Sequence, residues 1–506
     1  MSMPGIETVA ILGGSVAGWM AAATLARRLP RQRYRVILIE TAQDGDGLGD
    51  FGTTLTSLPS IKPFHESLGI DESLLLRATR GSFALGVAFS GMATRDSACF
   101  LPFGAIGAPI GPVAFHQLLT RLRQQGRDVR AADYSIAAIA AQAGRFTRPS
   151  ADQGSTLSQF SYGLHLDAWG YLAALRATAE AHGARAAAAP FGRALIGENG
   201  DVAGIELADG EIVPVMLAID ATGAPALLSG VAIGGGFESW RHWLPCDQSA
   251  ALRVADPGDP LPFSHVEAMA TGWHGTTPLA GEVGRLVCWS SAFGDADTAR
   301  TALGVADGPD PHMVAFENGR RALPWHRNVV AIGAAACVIE PLHPVALHLV
   351  QSALARLVTL FPASAHAPVE AAEYNRMTIN ELERTRDFLI AHYATNRRAG
   401  DPFWDAVLTS TPPERVLYKL QMFASAGRMP MFDDEMFEEE DWIALLDAQG
   451  LHPRRHNALS GAVPIERIEQ HLARLREAII AAVKTMPRHG DYLRRAHAAT
   501  ARGAAA

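Results

Sequence analysis

Four cysteines in 506 residues, Cys99, Cys246, Cys288 and Cys337, lie far apart with no C-x-x-C spacing. That spacing indicates neither a disulfide framework nor a zinc site, and a reducing cytoplasm suits it best. Positive charge is also short: the formal net charge is −8 and no basic block stands out, which argues against nucleic acid as the main partner. No uninterrupted apolar run reaches the roughly 18 residues of a membrane span. The apolar stretch near the N-terminus carries a Gly-rich turn and has no basic segment before it, so it does not read as a secretion signal. The expectation is a soluble, cytoplasmic protein with no membrane partner. What is present is ordinary, 48% hydrophobic and 19% charged, enough for two or three domains or one large body with an appended lobe.

The chain is organised around Val9 to Ala22, VAILGGSVAGWMAA. An apolar run ends in a Gly-rich turn and leads into an Ala-rich helical pattern, the strand, phosphate loop and helix that open a dinucleotide-binding βαβ unit. Gly13 permits the tight turn, Gly14 continues it, and Gly18 permits close packing of helix on strand. Ser15 stands at the second fingerprint position, where the backbone approaches a pyrophosphate. A small side chain is tolerable there, because the free N–H groups and the positive helix end around Ala17 still face the phosphates. YRVILIE reads as a second strand ending in Glu40, 22 residues after Gly18, about where an acidic side chain takes ribose hydroxyls.

After Glu40 a loop rich in Gly, Asp and Thr, including Thr53 and Thr54, is placed to pass over the cofactor, and a helix follows from about Ser60. GSFALGVAFSGM alternates like a strand. Between Arg130 and Ser161 the composition is Ala-, Gln- and Ser-rich without periodicity, which suggests a peripheral insert. A short strand carrying His165 and Asp167 then leads into a helix, with Asp167 as its N-cap. A hairpin-like stretch turns at Asn199-Gly200 and Asp209-Gly210, and the apolar strand MLAIDATG closes on Asp220, Thr222 and Gly223. Strands from Leu244 to Phe293 read as a β-rich region over a pocket. A late strand, a turn at Gly333 and a long helix starting near Leu347 would bring a helix N-terminus to the flavin end of a cofactor. From Pro368 the pattern is nearly all helical, so the expected division is a cofactor and pocket module over 1–367 and a helical lobe over 368–506.

These residues resemble the flavin-dependent tryptophan halogenases along essentially the whole chain. GGSVAGWMAA is similar to the family's Gly-rich loop, LPSIKPFHESLGIDE to its next helix, GLHLDAWGYLAAL to its HFDA-type strand and helix, and LPCDQSAAL to its PCD segment. VVAIGAAACVIEPL, HLVQSALARLVTLFP, EYNRMTINELERTRDFLIAHY and DPFW resemble the C-terminal half. The resemblance implies an α/β fold with a Rossmann-like FAD-binding core of the glutathione-reductase and monooxygenase type, a β-rich substrate region and a C-terminal helical lobe. It further implies reduced FAD from a separate flavin reductase, a flavin peroxide formed with dioxygen, and halide attack that makes hypohalous acid. That acid crosses a tunnel to an aromatic substrate, which a lysine and a glutamate help to halogenate.

Three of those signatures are changed. The family's G-A-F-K matches Gly81, Ser82, Phe83 and Ala84, so an alanine stands at the lysine position. Its E-P-L-E-S-T-G matches Glu340 to Ala346, where His343 replaces the glutamate and Pro344 lacks the N–H an anion site would use. Its W-x-W-x-I-P matches Trp273, His274, Gly275, Thr276, Thr277 and Pro278. His343 and His274 are candidate acid–base groups, since imidazole titrates near neutral pH. Phe83, Trp273 and Pro278 are candidate pocket residues, as are Phe403 and Trp404, which as core aromatics would instead anchor the lobe. Lys62, the nearest lysine in sequence, reads as a solvated side chain. The first expectation is therefore oxygenation of an aromatic or amino-acid-like substrate. The alternatives are a halogenase with a rearranged site, for a tryptophan, indole or peptide substrate, and a flavin-binding protein without turnover. Halide use stays open, and a homodimer is the association that related enzymes suggest.

Overall fold

A computed structural model describes residues 6–42, 52–152, 154–305 and 309–503. The first part of the loop after Glu40, residues 43–51, lies outside them. The chain divides into two compact units that are each discontinuous in sequence: 1–81, 166–252 and 308–383 form one, and 82–165, 253–307 and 384–506 the other.

The first unit is built on a six-stranded sheet. Its order is Trp325–His326, Val329–Ala331, Leu217–Asp220, β1 (Glu7–Leu12), β2 (Tyr34–Ile39) and Arg185–Ala186. Every pairing but the first is parallel. Parallel strands covered on both faces read as unbroken apolar runs, and Val9 to Leu12 are fully buried. Between β1 and β2 runs α1 (Val16–Arg28), whose buried face includes Trp19, Met20 and a run of alanines. Those small residues let α1 pack closely against the helices Ala168–Ala181 and Ala346–Thr359. The expected hairpin stretch is a three-stranded antiparallel sheet of Phe191–Ile196, Val202–Leu207 and Ile212–Pro214. Asp167 caps the helix Ala168–Ala181, accepting from the Gly170 N–H at 2.9 Å.

In the second unit five strands run in the order Ala98–Pro102, Gly86–Ser90, Ser264–Met269, Gly272–Leu279 and Glu282–Trp289. The expected single strand from Gly81 is two, Ser82–Ala84 and Gly86–Ser90. The break follows from Gly86, at φ +157°, where a Cβ would lie 2.3 Å from the Leu101 carbonyl oxygen. Helices fill the C-terminal stretch as expected.

The stretch from Arg130 to Ser161 is not a peripheral insert. Its helix Ile136–Gln142 buries Ile136, Ala137, Ala138, Ala140 and Ala141, and Phe146 is fully buried, its ring stacked on Phe83 at 3.8 Å between centroids. Alanine carries too little hydrophobicity to mark a period in sequence, yet it packs as tightly as any core residue.

Candidate active site

The loop between β1 and α1 is fixed by backbone contacts that only glycine permits. Gly13 has φ +111° and its N–H donates to the Ile39 carbonyl at 2.9 Å. A Cβ on Gly13 would lie 2.4 Å from the Ala221 oxygen, and one on Gly18 would lie 1.9 Å from the Gly13 oxygen. Ser15 is the N-cap of α1: its Oγ accepts from the Gly18 N–H at 3.4 Å and donates to the Ala221 carbonyl at 3.1 Å. The serine thus ties the loop to the end of the strand Leu217–Asp220, a link that glycine could not make. Gly14 continues this turn, and a Cβ on Gly333, at φ +59°, would stand 3.0 Å from the Ala17 Cβ. Gly13, Ser15, Ala17, Gly18, Gly333 and the end of the strand Leu217–Asp220 therefore gather around one helix N-terminus.

Glu40 follows β2 and is half exposed, with Arg176 Nη1 at 3.5 Å. The same guanidinium lies 5.2 Å from the Trp19 ring centroid. Thr54 opens the short strand Thr54–Thr56. The Thr53 hydroxyl is buried with no hydrogen-bond partner, a polar atom awaiting a partner in the loop expected to cross a flavin. Leu347 lies buried in the first turn of the helix Ala346–Thr359. Beside it His348 Nδ1 meets the Ser60 hydroxyl at 2.9 Å, and His348 Nε2 faces Glu381 at 3.6 Å. Nothing in the sequence pattern paired those three positions.

Asp220 has a different task from the cofactor contact expected of it. Its fully buried carboxylate accepts from the Thr222 N–H and hydroxyl, the Leu228 N–H, and the Ser229 N–H and hydroxyl, all within 3.1 Å. It holds the turn that carries Gly223, at φ +71°, and has no oxygen left to offer a ligand. Asp220→Ala is expected to leave five donors without an acceptor and to lower stability by about 3 kcal/mol or more. Chemical denaturation of the variant measures this, and a loss below about 1 kcal/mol would remove the clamp from the account.

Several backbone donors of the segment Glu340 to Ala346 are missing or already committed. Pro341 and Pro344 have no N–H, while the N–H groups of Glu340, Leu342 and Val345 already donate to Asn318 Oδ1, the Glu340 carbonyl and the His343 carbonyl. His343 is 5% exposed, and burial lowers its pKa to about 3. The expectation that it titrates near neutral pH is corrected, because desolvation keeps the imidazole uncharged across that range. His274 also has its pKa lowered by burial, against the opposing pull of the Glu267 carboxylate. It sits opposite Glu267 in the antiparallel pair of Ser264–Met269 and Gly272–Leu279, with Nε2 at 3.0 Å from that carboxylate.

In the second unit Ala84 is fully buried, and so are Phe83, Phe403 and Trp404. Behind Ala84 runs a hydrogen-bonded chain with a single consistent proton assignment. The Ser264 hydroxyl donates to His165 Nε2 at 3.0 Å, His165 Nδ1–H donates to the Ser82 oxygen at 2.9 Å, and the Ser82 hydroxyl donates to the Pro278 carbonyl at 2.7 Å. His489 completes the cluster: its Nδ1–H donates to the Pro260 carbonyl at 2.8 Å, so Nε2 can accept from the Phe83 N–H at 3.2 Å. Phe83, Ala84 and Pro278 are thereby joined. Trp273 is 1% exposed and its Nε1–H is buried without a partner. Trp404 donates to the Met269 carbonyl at 2.6 Å and packs on Phe403 at 5.1 Å, which is how core aromatics anchor a lobe.

Lysine is nearly missing from the chain, which has only Lys62, Lys419 and Lys484. Lys62 is exposed beside Glu66, as its reading from sequence expected, and Lys484 is exposed on the helix Ile465–Thr485. Lys419 is buried, paired with Glu435 at 2.9 Å and held over the Trp442 ring at 4.5 Å. No group of three or more potential metal ligands occurs among the described residues.

Comparison with known proteins gives this arrangement its context. The family model "Tryptophan halogenase" matches residues 8–465. The tryptophan 7-halogenase RebH of Lentzea aerocolonigenes is 26% identical over 530 aligned positions, which cover 97% of this chain and 99% of RebH. Among solved structures, BrvH, a flavin-dependent halogenase from Brevundimonas sp. BAL3, superposes with a TM-score of 0.91 at 33% identity, covering 96% of this chain and 99% of its own. Xcc4156, a flavin-dependent halogenase from Xanthomonas campestris, gives 0.91 at 31% identity, covering 97% and 98%. The Rossmann-like loop, the parallel sheet behind it and a match across nearly the full length together make this chain a member of the tryptophan halogenase family.

Proposed function

We propose that this protein is a flavin-dependent halogenase with a rearranged active site, acting on an aromatic small molecule or peptide side chain. The observation that carries the reading is the near full-length match to proteins named as halogenases, BrvH and Xcc4156 among them. Reduced FAD from a separate flavin reductase, together with dioxygen, supplies the oxidising chemistry when bound. The α1 N-terminus, Ser15 and the glycines at 13, 14 and 18 would take the pyrophosphate, and Glu40 the ribose hydroxyls. The Thr53 hydroxyl, with Thr54 beside it, would find its missing partner on the flavin. Gly333 and the helix start at Leu347 would meet the flavin end. On the substrate side Phe83 and Pro278 would form the wall around Ala84, and Trp273 would offer its N–H.

A second reading is supported by a separate observation. No lysine amine stands at position 84, and three of the N–H groups between Glu340 and Val345 are already used. In that reading the same cofactor, when bound, would supply oxygen-transfer chemistry to the aromatic substrate in place of halogenation. His343, neutral at working pH, would then donate or accept a hydrogen bond without carrying charge.

One experiment separates the readings. The protein is supplied with FAD, a flavin reductase, NADH, ¹⁸O₂ and an indole and phenol panel, with and without bromide, and products are read by mass spectrometry. The halogenase reading expects brominated product that rises with bromide. Product carrying one ¹⁸O, indifferent to bromide, would replace it with oxygenation. Tight FAD binding with neither product would leave a flavin-binding protein without turnover.

A further inference from the structure

Asn318 is 1% exposed and precedes the short strand Gly319–Arg321, which pairs with Cys337–Val338 through Gly319 and Val338. The ladder ends there, and the Asn318 side chain continues it. Its Oδ1 accepts from the Glu340 N–H at 2.7 Å, while Nδ2 donates to the carbonyls of Leu244 and Cys246, each at 2.9 Å. Two carbonyls on one side and one N–H on the other leave a single orientation for the amide. Its main-chain carbonyl also accepts from the Trp240 N–H at 2.8 Å. No other side chain offers two donors and one acceptor in so short a reach. Aspartate would set a carboxylate oxygen against two carbonyl oxygens, and leucine would leave three buried backbone groups without partners.

We propose that Asn318 is a positioning residue that locks the segment Glu340–Val345 to the segment Leu244–Cys246, and so fixes where the His343 imidazole and the start of the helix Ala346–Thr359 stand. Beyond the clamp itself, the proposal rests on the reading above that the helix start at Leu347, into which Glu340–Val345 leads directly, meets the flavin end. With proline at 341 and 344, the segment has few backbone bonds of its own. The amide clamp at Glu340 therefore sets its entry point, and the turn bonds from Leu342 and Val345 carry that position forward.

The test compares Asn318→Ala and the milder Asn318→Ser with Asn328→Ala. Asn328 is equally buried and also makes three side-chain bonds, to the Val202 N–H and to the Val202 and Met216 carbonyls. It therefore reproduces the loss of a buried amide without touching the Glu340 segment. Hydrogen exchange of the FAD-free protein is expected to show Glu340–Val345 exchanging about tenfold faster in the Asn318 variants and unchanged in Asn328→Ala. Equal exchange in all three would overturn the clamp. With FAD added, the visible band of the bound flavin is expected to shift in Asn318→Ser and stay in place in Asn328→Ala. Faster exchange with an unshifted band would keep the clamp and overturn the placement of the helix start at the flavin end. Failure of the unaltered protein to bind FAD would count against the proposed function and not against the clamp.

Discussion

Gly18→Ala is expected to abolish FAD retention and to destabilise the protein by about 3 kcal/mol or more, the scale of a forced backbone shift in a packed site. The added Cβ would stand 1.9 Å from the Gly13 carbonyl oxygen, well inside contact distance, and neither group is a side chain that can rotate away. Relief requires α1 to move off β1, and α1 also packs against the helices Ala168–Ala181 and Ala346–Thr359. Gly13→Ala should act in the same direction, since its Cβ would meet the Ala221 oxygen at 2.4 Å and φ is +111°. A distinct result is expected for Ser15→Gly. It removes the bonds to Gly18 and Ala221, costing a few tenths of a kcal/mol of capping and about 1 kcal/mol for the lost bond to Ala221, while leaving room for the phosphates. FAD retention on a desalting column and thermal melts of the three variants check the set. If Gly18→Ala binds FAD as the parent does, the phosphate loop has been placed wrongly.

The loop was legible in the sequence because its chemistry is local: Gly13, Ser15 and Gly18 lie within one turn and their roles follow from spacing. The same holds for the Asp167 cap and for the turns at Asn199 and Asp209, where one residue type decides the backbone. Family motifs located Ala84 and His343, since each is a departure inside a recognisable string. What sequence could not supply was burial. His343 reads as a titrating base until its surroundings are known, and Asp220 reads as a cofactor ligand until five donors within the protein are found on it. Phe146, His165 and His489 come from three separate stretches and meet around Phe83 only through tertiary packing, with no periodic signal to join them. Asn318 is a clearer instance still, because a lone asparagine before a strand carries no mark of the two segments it bridges.

Lowering the pH from 7.5 to 5 is expected to remove about 8 kcal/mol of stability through four histidines, which rivals the whole stability of an ordinary domain. Burial lowers His65 to about 4, His165 to about 3, His343 to about 3 and His489 to about 4. In the unfolded chain each returns to about 6.5. Between those values only the unfolded state takes up the proton, so stability is intact above about pH 6.5 and is lost as the pH falls below it. At pH 5 all four folded groups are still neutral, and each unfolded imidazole contributes about 2 kcal/mol to unfolding whatever the depth of its folded value. Protonating His489 in place would not avoid the cost, because Nε2 accepts from the Phe83 N–H and Nδ1–H is already given to Pro260. The same holds for His165, whose Nε2 accepts from Ser264 while Nδ1–H serves Ser82. Two carboxyls work the other way: burial raises Glu439 and raises Asp441 to about 6, so Asp441 takes up a proton in the folded state and returns about 1 kcal/mol at pH 5. Denaturant titrations at pH 7.5, 6 and 5 should therefore show a steepening loss over a range where most carboxylates are still ionised. His165→Asn, which cannot charge, should remove about a quarter of that dependence. A stability that is flat from pH 7.5 to 5 would mean that the four rings open to solvent easily, and the neutral role assigned to His343 would fall with the rest.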